Sequence, residues 1–440
     1  MSNNNLLKTA EDLVKYGKSK GADQVQVSIG EGSSFTVECL NQSIENLTEA
    51  GSRSLSLKVI LDNKVATASS SDLSPEALHQ LTDNAIERAK LTSSDPFAGL
   101  PDNDAIQVDI DSLKLFDPKI LELTPEHKIA MAKEVEAIAV KGKNVKSSNG
   151  SYYGTNIGRT IIANSNGFSG DYKHSVCYNG VGLQSGKGDK IYEDGWYESS
   201  LNVAGLMGTQ EIAEKAIHVV TRMLNAKKIK TQVVPIVFEP KMTSMLLRFL
   251  SSCINGRSIY MKQSWLIDMI GKEIAGKDIN ITDDPTIVGA KGSRPFDGEG
   301  VPGKKMPIIE NGILKNYILS TYSAKKLGMK STGGASGSSN FYMAAGSHSQ
   351  EEIIKSVDKG LLLTSTIGQG TVPTTGDISK GAYGIWIENG ELTYPVSEVT
   401  FTGNLASMLK NISMIGNDLK FDRAVAGPTI KIDGMSISGL

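Results

Sequence analysis

Between residues 242 and 254, apolar side chains fall at Met242, Met245, Leu246, Phe249, Leu250, Cys253 and Ile254. Steps of three and four residues predict a helix with a single apolar stripe. Leu6, Ala10, Leu13, Val14 and Gly17 make the same pattern near the start of the chain. Two more helices are marked by their first residues. Ser74–Pro75 opens one that runs to about Lys90 and should bury Leu78, Leu81, Ala85 and Ala89, and Thr124–Pro125 opens the other. In both, a hydroxyl at the cap is followed by proline at the first helical position, where a missing N–H costs nothing. A fourth helical run, "TQEIAEKAIHVVTRMLNA", ends before the polar stretch "KKIKTQ".

Elsewhere the period is two. "VQVSI", "FTVECL", "SLSLKVI" and "KVATAS" alternate, with the glycines of "GEGSS" between the first two and "LDN", a hairpin-like turn, between the last two. Residues 145–205 read as a β-meander around the turn in "NSNGF". "PIIENGILKNYIL" and "GIWIENGELTYPV" each place Asn-Gly between β-rich runs, the strongest short hairpin signal. "SQEEIIKSVDKGLLL" and "NLASMLKNISMIG" read as helices and "PTIKIDG" as a strand. "STGGASGSSN" reads as a flexible loop, or as one whose backbone contacts a peptide or a partner subunit. Helices and strands do not alternate regularly, so the expected class is α+β. Two domains are expected: a mixed helix/strand domain over 1–228 and a β-rich domain over 229–440.

Composition narrows this further. A chain of 440 residues exceeds one compact core. A net charge of −2 with only short basic runs argues against nucleic acid, which requires a concentrated basic face. Cys39, Cys177 and Cys253 are few and far apart, so neither a disulfide framework nor a CxxC zinc pattern is expected. The first residues carry no secretory signal pattern, and no apolar run reaches the ~18 residues that span a bilayer. The expectation is a soluble cytoplasmic protein.

Short motifs add little. His79, His127, His174, His218 and His348 are scattered and form no His-Glu-x-x-His. Glu214 lies one turn before His218 and is read as an ordinary helix-face contact; His348 is read as a solvated loop residue. "GEGVPGKK" has P-loop glycines, but Lys305 stands where Ser or Thr would hold magnesium, and a strand follows instead of a helix. "SAKK" matches Ser-x-x-Lys without other support. Asp297 and Glu299 in "SRPFDGEG" read either as an acid/base pair or as an exposed acidic loop.

Three longer stretches carry a resemblance: "TIIANSNGFSG", "DDPTIVGAKGSRPFDGEGVPGKKMPIIENGILKNYILSTYSAKKLGMKSTGGAS" and "GQGTVPTTGDISKGAYGIWIENGELTYPVSEVTFTGNLASMLKNISMIGNDL". They resemble the TldD/PmbA family, and more closely its PmbA (TldE) branch. The resemblance implies two-domain α+β proteins that dimerise. It further implies a TldD branch whose zinc is held by a His-Glu-x-x-x-His helix and a later cysteine. The resemblance also implies that TldD pairs with TldE and that the pair degrades unfolded peptides in peptide-antibiotic maturation and antitoxin turnover. An older family label is modulator of DNA gyrase.

Carried onto this sequence, the zinc helix falls on "MLLRFLSSC". Arg248 takes the place of the first histidine, Phe249 of the glutamate and Cys253 of the second histidine. Arginine keeps its proton and has no lone pair to offer. At ~4 Å a guanidinium would repel a divalent cation by roughly 8 kcal/mol at an effective dielectric of ~20. No cysteine follows Cys253. Arg248 lies about 140° around the helix from Cys253, which shares the apolar stripe and is read as core.

The expectation is a non-catalytic subunit with no cofactor of its own, zinc residing in a TldD-like partner. Arg248, Asp297, Glu299 and Gln369 are the candidate residues of a peptide cleft. Homodimerisation of the isolated chain, and any activity it has alone, stay open. The alternatives are a self-sufficient hydrolase using Asp297, Glu299 and His348, or a binding module acting on DNA gyrase.

Overall fold

The computed structural model describes residues 6–102, 109–188 and 190–440, with the side chain of residue 190 left aside. Helix α1 (Leu6–Ser19) buries Leu6, Ala10, Leu13, Val14 and Gly17, the stripe read from its spacing. It lies on a six-stranded antiparallel sheet ordered β3-β2-β1-β4-β5-β6. The strands are β1 (Gln24–Leu40), β2 (Ser43–Leu61), β3 (Lys64–Ser70), β4 (Val145–Asn164), β5 (Ser169–Lys187) and β6 (Lys190–Ser200). Helices α2 (Pro75–Leu91), α3 (Pro125–Ala139) and α4 (Thr209–Thr221) complete this half. The expected meander over 145–205 is β4-β5-β6.

Sequence and structure differ at the first hairpin. "VQVSI" and "FTVECL" are one strand, β1, and "GEGSS" is extended within it. The turn is Asn41–Gln42, with φ of 51° and 64°. Two consecutive residues with φ > 0 define the type I′ hairpin turn, which asparagine tolerates. Gly32 sits opposite Gly158 on β4, and a Cβ at Gly32 would lie 3.1 Å from the Ile157 carbonyl. Gly32 thus allows close strand approach, and neither glycine of that run turns the chain. The cap of α2 also differs: Ser74 has the extended backbone of a cap, but its side chain makes no capping bond, whereas Thr124 does accept from His127 N–H.

The second half begins with β7 (Gln232–Phe238) and helix α5 (Pro240–Cys253). Its larger sheet has seven strands, in which Ile430–Ser438 lies between β7 and Glu391–Asn404. A five-stranded sheet includes Ile281–Asp283, Met306–Glu310 and Phe341–Met343. Both Asn-Gly hairpins form, at Asn311–Gly312 and Asn389–Gly390, each residue with positive φ. Two expected helices are shorter than read. Gln350–Lys355 is helical, but the following "KGLLLTSTI" is a strand; Leu405–Lys410 is helical, but Ile412–Ile415 is a strand. In both, apolar residues continue across the boundary, so periodicity cannot separate the elements. The Gly/Ser loop is tied down: Asp297 accepts from Ala335 N–H, Asp283 accepts from Ser339 N–H, and Arg294 donates to the Gly337 and Ser338 carbonyls.

Candidate functional site

Helix α5 starts at Pro240, with Glu239 at its cap; the Glu239 carboxylate pairs with Arg222 of the α4 end at 2.9 Å. Its inner face is broader than the stripe alone. Met242, Thr243, Ser244, Leu246, Leu247, Phe249, Leu250 and Cys253 are all buried, and Met245 is half-buried. A Cβ at Gly427 would fall 2.4 Å from the Thr243 methyl, so glycine there lets the neighbouring segment press against the helix. Arg248 and Lys241 are exposed. Seven residues apart, they share one side of the helix about 10 Å from each other along its axis.

These residues do not fit a divalent cation. Phe249 has no donor atom and is only 5% exposed. Cys253 is fully buried, its thiol is pushed up to about 11 by burial, and its sulfur lies 4.0 Å from the Pro373 carbonyl. A protonated thiol in apolar surroundings behaves as a small core residue and not as a thiolate ligand. Arg248 points elsewhere and stays cationic. Among the described residues no group of three or more His, Cys, Asp or Glu comes together as a metal-binding set.

Two other cleft candidates belong to the architecture. Asp297 is 2% exposed, and its oxygens accept from the N–H groups of Glu299, Val301 and Ala335. Burial raises its proton affinity, and those three amides oppose the rise. Glu299 accepts from Thr321 N–H at 2.8 Å, at the start of a short helix over 321–327. The acidic loop is therefore folded inward, which the sequence could not show. Gln369 is exposed beside the turn before Thr371–Val372. His348 bridges to Gly416 through its backbone.

Arg248 instead opens onto a cavity between the two halves of the chain. Two adjoining chambers, of about 510 and about 180 Å³, share Gly195, Trp196, Glu198, Lys241, Asp422 and Arg423. One wall is β6, an edge strand of its sheet; another is the outer side of α5. Arg248 and Lys291 line the smaller chamber, while His218 and Arg222 line the larger. Lys291 meets Glu198 at 3.5 Å and donates to the Asp422 carbonyl; Asp422 pairs with Arg423 at 2.9 Å. Burial and the Asp422 bond pull the Arg423 guanidinium in opposite directions, and the bond prevails, raising its proton affinity. Trp196, Lys241, Lys291, Asp422 and Arg423 were not legible as site residues. Lys241 alone carried a signal, its heptad spacing from Arg248.

An α+β fold with a cavity between its two halves, walled on one side by the helix over 240–253, defines the class. The family profiles agree with it. Those described as PmbA/TldA metallopeptidase domain 1, central domain and C-terminal domain match residues 25–89, 118–224 and 231–439. The chain belongs to the PmbA/TldD family. It is 34% identical to "Metalloprotease PmbA" of Escherichia coli O157:H7, over 98% of this chain and 95% of that one. Among solved structures it is similar to a suspected modulator of DNA gyrase from Bacteroides thetaiotaomicron, at TM-score 0.93 and 32% identity with both chains fully covered. TldE from Thermococcus kodakarensis shares the fold at TM-score 0.81 and 23% identity, covering 98% of this chain and all of that one. Sequences named as TldD homologues also match, over about half of the chain or less. No helix among the described residues is long and apolar enough to cross a membrane.

Proposed function

We propose that this chain is the PmbA/TldE-type subunit of a cytoplasmic metallopeptidase that acts on unfolded peptides. The zinc and its ligands belong to a TldD-like partner, and this chain completes the enclosure that receives the peptide. The single observation behind the reading is Arg248, an exposed permanent cation at a position where the family's zinc helix needs an electron-pair donor. Buried Phe249 and Cys253 support it. Peptide-antibiotic precursors and antitoxins are the substrates the family resemblance suggests. Residues 1–228 and 229–440 serve as two folding units, a division supported by sheets that draw their strands from one side of that boundary or the other.

The test mixes the purified chain with a TldD-type subunit and follows cleavage of an unstructured peptide. Cleavage should need both proteins and stop with a chelator. Chelator-sensitive cleavage by this chain alone would reject the reading. Size-exclusion chromatography of the two proteins, separate and mixed, checks the pairing.

A further inference from the structure

The cavity is asymmetric in its unmet hydrogen bonds. Every carboxylate in its walls already has a partner. Glu198 meets Lys291, Glu211 meets Lys215, Glu239 meets Arg222 and Asp422 meets Arg423. Asp194 and Asp418 accept from the N–H groups of Gly195 and Thr429. The groups left over are donors. Arg248, Lys241 and Lys420 have no hydrogen bond or ion pair among the described residues. Exposed cations of this kind suit an occupant that supplies acceptors and negative charge.

The shape narrows the occupant. The chambers run along β6, whose outer backbone edge pairs with no other strand among the described residues. A free strand edge suits an extended peptide, whose backbone can bond to it. Tyr197, 66% exposed, adds an aromatic surface at the smaller chamber. A guanidinium offers two parallel N–H bonds that match a carboxylate.

We propose that Arg248 and Lys241 form a carboxylate-anchoring subsite that holds an extended peptide by its free C-terminal carboxylate or by an acidic side chain near that end. This rests on the peptide-handling role proposed above and specifies its substrate chemistry. The outward side of α5 then selects which end of a peptide enters.

The experiment measures binding of a fluorescein-labelled ten-residue Gly/Ser/Ala peptide to the whole chain by anisotropy, with no partner present. Three probes are compared: a free-acid C-terminus, an amidated C-terminus, and an amidated C-terminus with one Asp two residues from the end. The free-acid peptide should bind about tenfold or more tightly than the amidated peptide, the scale of one charge-assisted bond. Recovery by the Asp peptide identifies a side-chain carboxylate as an equal source; no recovery identifies the terminus. Arg248→Ala and Lys241→Ala, both at exposed positions, should each weaken the free-acid peptide and leave the amidated one unchanged. Arg248→Lys should restore part of the loss. Equal binding of free-acid and amidated peptides, no binding at all, or Arg248→Ala and Lys241→Ala variants that still distinguish the probes would overturn the subsite. These outcomes are independent of whether the chain cleaves peptides with or without a partner, so the two readings fail separately.

Discussion

Two places in the second half of the chain carry charges that look like chemistry, and the structure treats them in opposite ways. The Asp297–Glu299 loop turns its carboxylates inward, where backbone amides occupy the oxygens. The outer side of α5 turns Lys241 and Arg248 toward the cavity, where no hydrogen bond or ion pair from the described residues meets them. Charge met by backbone N–H groups organises the chain. Charge left unmet is available to a ligand. The difference lies in which donors and acceptors are already matched and not in residue type.

The comparison can be broken most sharply at its buried members. Phe249→Ala empties a core position and should cost about 3–5 kcal/mol in urea denaturation; a loss below ~1 kcal/mol would mean that Phe249 is not core. Asp297→Ala orphans three amides and should destabilise by about 3 kcal/mol or more, seen as a lower midpoint at unchanged slope. A wild-type-like midpoint would return Asp297 to the list of cleft residues.

The thiols give a smaller effect with a definite sign. Burial pushes both Cys177 and Cys253 up to about 11. An unfolded cysteine ionises near ~8.5, so between that pH and about 11 unfolding releases protons. Stability contributed by the buried thiols is complete below ~8.5 and is lost as pH rises through about 11. Denaturation midpoints should fall over that interval and level off beyond it, and a Cys253→Ala variant should show a shallower fall. At pH 8 the folded chain should react with a thiol reagent far more slowly than the urea-unfolded chain. Arg248→Ala comes last: with no partner to lose, it should change stability by less than ~0.5 kcal/mol while changing peptide binding.

Much of the architecture was legible, for local reasons. The stripes of α1 and α5 and the turns at Asp62–Asn63, Asn311–Gly312 and Asn389–Gly390 depend on near neighbours, and each formed. The turn at Asn41–Gln42 carries no glycine or proline to mark it, whereas the glycine-rich run nearby lies inside β1, where Gly32 serves a close approach to β4, more than a hundred residues away. The helix-to-strand switches after Lys355 and Lys410 were missed because apolar residues run through both boundaries. On α5, the sequence placed Cys253 on the buried stripe and Arg248 off it. It could not bring β6 to face α5, so Trp196 and Arg423 remained unrecognised. Nor could it show that backbone amides would take up Asp297.

The place of Ile430–Ser438 between β7 and Glu391–Asn404 has a consequence for biosynthesis. β7 leaves the ribosome roughly 200 residues ahead of the strand that pairs with it from Ile430 to Ile437. Until then Ile236 and Phe238, fully buried in the finished protein, remain uncovered along that edge. Closing so long a loop is slow and leaves an aggregation-prone surface in the interim. Newly made chains should therefore depend on chaperones until translation has passed this strand, however stable the mature fold becomes.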